Sequence, residues 1–148
     1  MNCYAIVNNG NQSLKRLGDK IIISLSRQKI FAKYRAFGRI ITLESEHKLT
    51  ETVLNGRPVY PCIFTSSKEK EIYRSIKMLV EHASPTKNFA IRVDRKGKHD
   101  YDSTELARNV AGAVFDKWPR ISVNLGSPEL EIFVQIINNK SIIYLKYS

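Results

Sequence analysis

Residues Asn88–Pro128 read NFAIRVDRKGKHDYDSTELARNVAGAVFDKWPRISVNLGSP. Phe89, Ile91 and Val93 alternate with Ala90 and Arg92, the period-2 pattern of a strand with one buried face. The run from Asp94 to Asp100 breaks that pattern and predicts a basic turn. Asp102, with Glu105 three residues on, has the capping-box arrangement that opens a helix. Leu106, Val110, Val114 and Trp118 form the apolar stripe of that helix. Ala107, Ala111, Gly112 and Ala113 keep it thin, as close packing on a sheet requires. Trp118-Pro119 ends the helix, Ile121–Leu125 reads as a second strand, and Gly126-Ser127-Pro128 turns.

Working outward, Glu129–Ile137 alternates again, Asn138-Asn139 makes a hairpin turn, and Ser141–Tyr147 closes the sheet. Upstream, Ser66-Ser67 opens a helix with a stripe of Ile72, Ile76, Leu79, Val80 and Ala83, which ends before Pro85. The first third of the chain predicts a strand at 2–7, a helix at 13–27 capped by Ser13 or Asn11, and a hairpin. The hairpin pairs Lys29–Arg35 with Arg39–Glu44 through Ala36-Phe37-Gly38. A short helix over 45–56, capped by Ser45 and stopped by Asn55-Gly56, and a strand at 58–65 follow.

That order is β-α-β-β-α-β. The expected fold is therefore α+β: an N-terminal ferredoxin-like half over residues 1–66, packed on a C-terminal α/β domain with a mixed sheet over 67–148. No Gly/Ser/Pro-rich linker separates them. In the ferredoxin-like topology the first and fourth strands are neighbours. Cys3 and Cys62 are then expected on adjacent strands, close enough to oxidise; whether they form a disulfide stays open.

The 148 residues carry a formal charge of +10 and a pI near 9.7, which points to a polyanionic partner. The surplus is uneven: +7 over residues 1–43 and +3 over 85–120. No window approaches the ~20 apolar residues of a membrane span, and the start has no secretory pattern, so a cytoplasmic protein is expected. The two cysteines form no CxxC and have no histidine at ligand spacing, so neither metal nor other cofactor is expected.

The strand FAIRVDRKGKH, the helix opening DSTEL and the segment PRISVNLGSPELEIFVQI together resemble the THUMP domain, over about residues 67–148. The matching positions are Arg92, Arg95, Gly97, His99, Ser103, Val123, Leu125 and Pro128. THUMP domains occur in 4-thiouridine synthetases, some RNA methyltransferases and the accessory subunit of tRNA cytidine acetylation. The upstream half is similar to the domain that usually precedes them. The resemblance implies recognition of tRNA, including its single-stranded 3′ CCA end and acceptor region, with no chemistry in the domain itself. It further implies presentation of tRNA to a separate enzyme, with a tRNA acetyltransferase as the first expectation. Thiolation or methylation, and a generic basic nucleic-acid-binding role, are the alternatives. No Rossmann fingerprint or GxxxxGK[ST] loop occurs, so no catalysis is expected in these residues. A monomer is expected.

RNA binding needs cations for phosphates, donors and acceptors for 2′-OH or base edges, and planes for stacking. Arg92, Arg95, Lys96 and Lys98 supply the first within seven residues, and Gly97 lets the turn pass close to a backbone. His99 and Tyr101 are candidates for stacking, Ser103 for a hydroxyl contact, and Lys117 and Arg120 for an extension of the track. The N-terminal half adds Arg16 and Lys20 on a helix and Lys33 and Arg35 on a strand, expected to form a second phosphate-binding surface. His47 and His82 read as surface positions, and no nucleophile–base set can be placed together.

Overall fold

The structure, a computed structural model, describes residues 2–148. The chain forms two compact units, Met1–Cys62 and Ile63–Ser148.

The first unit contains β1 (Asn2–Val7), α1 (Leu14–Arg27), β2 (Lys33–Phe37), β3 (Ile40–Ser45) and the start of β4 (Tyr60–Ser66). Its strand order, β2-β3-β1-β4 with every pair antiparallel, is the expected ferredoxin-like order. Leu17, Ile21 and Leu25 of α1 pack on Tyr4, Ile6, Ile41 and Leu43. Each fully buried side chain there contributes about 1.5–3 kcal/mol. Ser13 caps α1 by accepting from the Arg16 N–H (3.1 Å). The helix tolerates Gly18 for a packing reason. A Cβ at Gly18 would come within 2.4 Å of the Tyr34 ring, whose hydroxyl donates to Asp19 Oδ1 (2.8 Å). The Lys29 and Ile30 N–H groups close the helix end on the Ser26 and Leu25 carbonyls, with Lys29 at φ 61°.

Two expectations for this unit are corrected. The helix over 45–56 is absent: β3 runs through Ser45, and residues 51–56 are successive turns. Gly56 N–H bonds the Glu51 carbonyl, and Asn55 and Gly56 both adopt positive φ (56° and 83°), which closes the segment before a helix can propagate. Leu49 and Leu54 are nevertheless buried in the core. The hairpin turn is the two residues Gly38-Arg39, with Phe37 paired to Ile40. Ala36 and Phe37 are strand, and Lys29 lies outside it. Gly38 takes the positive φ (62°) expected of it.

The second unit adds α2 (Glu69–Glu81), β5 (Asn88–Lys96), α3 (Ser103–Val110), α4 (Gly112–Phe115), β6 (Ser122–Val123), β7 (Leu130–Ile137) and β8 (Lys140–Tyr147) to the end of β4. The order is β4-β8-β7-β5-β6. β5 is parallel to β6 and β7, and β7 is antiparallel to β8, so the sheet is mixed. Phe89, Leu130, Ile132, Val134 and Ile136 face Ile72, Ile76, Leu106, Val110 and Val114 of the helices. Arg92 and Lys96 lie at alternate positions, on the other face.

Here too the boundaries move. β5 runs on to Lys96, so Arg95 and Lys96 are strand residues rather than turn. The second strand shrinks to Ser122–Val123. α2 opens at Lys68 without a side-chain cap, because Ser66 Oγ instead accepts the Lys68 N–H (3.2 Å). The helix expected through Trp118 breaks at Ala111. A Cβ at Gly112 would lie 3.0 Å from the Tyr73 hydroxyl, which donates to Asp116 (2.7 Å). The glycine therefore serves an approach of α2, not of the sheet.

Candidate nucleic-acid interface

The basic turn of the second unit is built around a contact the sequence does not announce. Gly97, at φ 109°, lies against Asn138 in the β7–β8 turn. A Cβ there would stand 3.1 Å from the Asn138 Cα and 3.2 Å from its nitrogen. The backbone that Gly97 lets approach is thus the protein's own. The Asn138 N–H donates to the Lys96 carbonyl (2.8 Å), tying the two turns together.

His99 completes the tie. Its Nε2 lies 2.6 Å from the Asn138 carbonyl, which can only accept, so Nε2 carries the proton. Nδ1 then accepts from Arg95 Nη1 (3.2 Å), which also donates to the Gly97 carbonyl (3.3 Å). The His99 ring stacks on Tyr101 at 5.2 Å and 7°. Tyr101 is only 8% exposed, and its hydroxyl donates to the Ser67 carbonyl. Burial raises its pKa, Asp100 adds to the shift, and Arg95 opposes it.

These contacts correct the reading of Tyr101 as a base-stacking residue: one ring face is covered, the hydroxyl is used and the side chain is buried. Arg95 is engaged in holding the turn. Arg92 is likewise engaged, with Nε on Glu131 (3.1 Å) and Nη2 on the Leu125 carbonyl (2.8 Å). It anchors the segment after β6, where Asn124 Oδ1 accepts from the Gly126 and Ser127 N–H groups. Val123 at the end of β6 and Leu125 on that segment are left exposed. The α3 N-terminus is partly occupied: Asp102 Oδ1 accepts from the Glu105 N–H (2.8 Å), with Ser103 half-buried beside it.

Lys96 and Lys98 project from this rigid frame, exposed and with no ion pair among the described residues. Lys117 and Arg120, after α4, are exposed in the same way. The four cations therefore divide from Arg92 and Arg95. Sequence spacing grouped Arg92 and Arg95 with Lys96 and Lys98, and side-chain partners separate them.

In the first unit the expected single basic surface splits. Arg16 and Lys20 lie on the solvent side of α1, around Asp19 and Ile23. Ile30, Ala32 and Tyr34 pack toward the α1 side of the sheet. Phe31, Lys33 and Arg35 alternate with them and are exposed on the opposite side. Phe31 is the residue the sequence reading missed: it is 83% exposed, and its carbonyl accepts from Ser45 Oγ (2.7 Å). The signal was available in the parity of Phe31, Lys33 and Arg35. Glu44, paired with Lys33 across the hairpin, moderates the charge.

No group of three or more metal-ligating side chains occurs among the described residues, and no helix there is long and apolar enough to cross a membrane. Residues 66–146 match the THUMP domain. The chain belongs to the THUMP domain family. A tRNA sulfurtransferase from Tolumonas auensis is 37% identical over 68 residues, 46% of this chain and 14% of that protein. The THUMP chain thus spans a small fraction of that relative's length. Solved structures share its fold, among them two with TM-scores above 0.7. One is a 4-thiouridine synthetase in complex with RNA and ATP, with a TM-score of 0.75, 11% identity, and 99% of this chain on 41% of that one. The other is PH1313 from Pyrococcus horikoshii, with a TM-score of 0.71, 17% identity, and 99% of this chain on 54% of that one.

Proposed function

We propose that this THUMP chain binds tRNA for a tRNA-modification system, contributing recognition rather than chemistry. The observation that carries this reading is the THUMP match over residues 66–146. The physical support is the pattern of free charge. Lys96, the last residue of β5, and Lys98, in the turn after it, flank Gly97 where His99 and Asn138 lock the backbone, so their ammonium groups reach phosphates from an ordered frame. Exposed Val123 and Leu125 offer apolar surface to unstacked bases of a single-stranded end, and the 3′ CCA end is the expected target. In the first unit, Phe31 beside Lys33 offers a stacking plane with a cation near it.

For the modification served, thiolation is favoured over the acetylation expected from the sequence, because the curated relatives are named tRNA sulfurtransferases. A gel shift of the full chain with intact tRNA, tRNA trimmed of its CCA end, and random duplex DNA tests the binding reading. Preference for intact tRNA is expected; equal binding to all three would reduce the chain to a generic basic protein. Capture of partners from native extract separates the enzymes, with a sulfurtransferase expected.

A further inference from the structure

Cys3 and Cys62 take no part in the contacts described for RNA, although Cys3 shares a sheet face with Lys33, through Glu44 between them. β1 and β4 are antiparallel with Tyr4 opposite Pro61 and Ala5 opposite Tyr60, so the next pair in register is Cys3 opposite Cys62. Their sulfurs are 2.7 Å apart. Directly opposed antiparallel residues have Cα atoms about 4.5–5.5 Å apart. That spacing lies within the roughly 4.4–6.8 Å that disulfides span, so a bond forms without moving either strand. Cys62 is buried, whereas Cys3 is half-exposed, so a small oxidant reaches Cys3 first.

We propose that Cys3 and Cys62 are a thiol–disulfide exchange site, in which Cys3 attacks a low-molecular-weight disulfide and Cys62 resolves the adduct. Cys3 thiolate attacks one sulfur of the small disulfide RSSR, forming a Cys3–S–S–R bond and expelling RS⁻. Cys62 gives its proton to that thiolate and attacks the Cys3 sulfur, expelling the second RS⁻, which takes a proton from water. The protein loses two electrons and two protons, and RSSR becomes two RSH. The electrostatics agree with Cys3 as the first nucleophile, and the pairing that raises Cys62 is lost once Cys3 is in the mixed disulfide. The hydrogen bond from Cys62 lowers the Cys3 pKa, with Arg35 assisting and burial and Glu44 opposing; the same pairing, and then burial, pushes the Cys62 thiol far up. The closed ring would tie the first strand of the unit to its last, constraining nearly every residue between them in the unfolded chain.

The test treats the native full chain with oxidised glutathione, then measures free thiols and intact mass. Wild type is expected to lose both thiols, lose two hydrogens in mass and retain no glutathione, with reversal by dithiothreitol. Cys62→Ser should hold a stable glutathione adduct at Cys3, and native Cys3→Ser should form none. Oxidised wild type should melt higher than reduced by on the order of 10 °C. Wild type that keeps both thiols, or that retains glutathione, overturns the proposal without recourse to either variant. So does a Cys3→Ser protein that reacts as fast as wild type.

Discussion

A Cβ at Gly97 would stand 3.1 Å from the Cα of Asn138, which lies 41 positions further along the chain. The contact joins the end of β5 to the β7–β8 turn and fixes where Lys96 and Lys98 point. Gly97→Ala meets two obstacles, a φ of 109° and a backbone neighbour that cannot rotate away. The dihedral alone costs about 1–3 kcal/mol. Denaturant unfolding should show at least that loss, and tRNA affinity should fall with it. A variant as stable as wild type would remove the close approach from the account.

Lys96→Ala with Lys98→Ala removes charge without disturbing the frame, since neither side chain has a partner among the described residues. The melting temperature should stay within a degree or two. The log–log salt slope of tRNA binding should fall by about 0.7–0.9 per lost phosphate contact. Arg92→Ala should behave differently, lowering stability because it releases Glu131 and the Leu125 carbonyl. Identical salt slopes before and after the double substitution would place the phosphate track elsewhere.

Tyr101 acts through stability. Tyr101→Phe keeps the stack on His99 and loses only the hydroxyl bond to Ser67, at a cost of about 1 kcal/mol. Thermal unfolding should register that as a drop of about 2–4 °C, with tRNA affinity at 20 °C unchanged. A variant that melts normally but binds tRNA poorly would return Tyr101 to the interface.

Phe31 is expected to behave in the opposite way. It is exposed and packs against nothing in the core of its unit, so Phe31→Ala should leave unfolding unaltered. If it stacks on a base, affinity for tRNA falls by about 1–3 kcal/mol while the salt slope holds. Unchanged affinity would confine recognition to other residues.

Asp102 ties the α3 cap to pH. The backbone hydrogen bond from Glu105 is the main cause of its pKa lying below the ordinary 3.8. A carboxylate depressed in the folded state contributes in full above its unfolded pKa and loses that contribution as pH falls through the folded value. Asp102→Asn keeps a capping oxygen but cannot titrate. The stability gap between wild type and variant should be constant above pH ~4 and close in more acidic solution. Parallel melting curves down to the lowest pH measured would rule out this linkage.

Alternation and capping carried most of the architecture. Phe89, Ile91 and Val93, the Asp102 cap and the β7 stripe were legible because strand and helix periodicities are local and each apolar face has to be buried. So was the four-strand order of the first unit, which follows from the element order and placed Cys3 beside Cys62. The segment 45–56 was not, since its buried Leu49 and Leu54 suit a helix or a chain of turns equally.

What the amino-acid sequence determined alone was the type of site: basic residues clustered around Gly97, in a pattern shared with THUMP domains. Which of those residues are free to meet RNA was decided only by tertiary structure. Arg92 is claimed by Glu131 and Leu125, Arg95 by His99 and Gly97, His99 also by Asn138, and Tyr101 by Ser67. The longest of these links joins residues some forty positions apart, across a sheet whose strand order is not the chain order. No local pattern encodes such a pairing. A buried polar group takes whichever partner the fold brings within reach, and only the cations left over, Lys96 and Lys98 among them, keep their charge for another molecule.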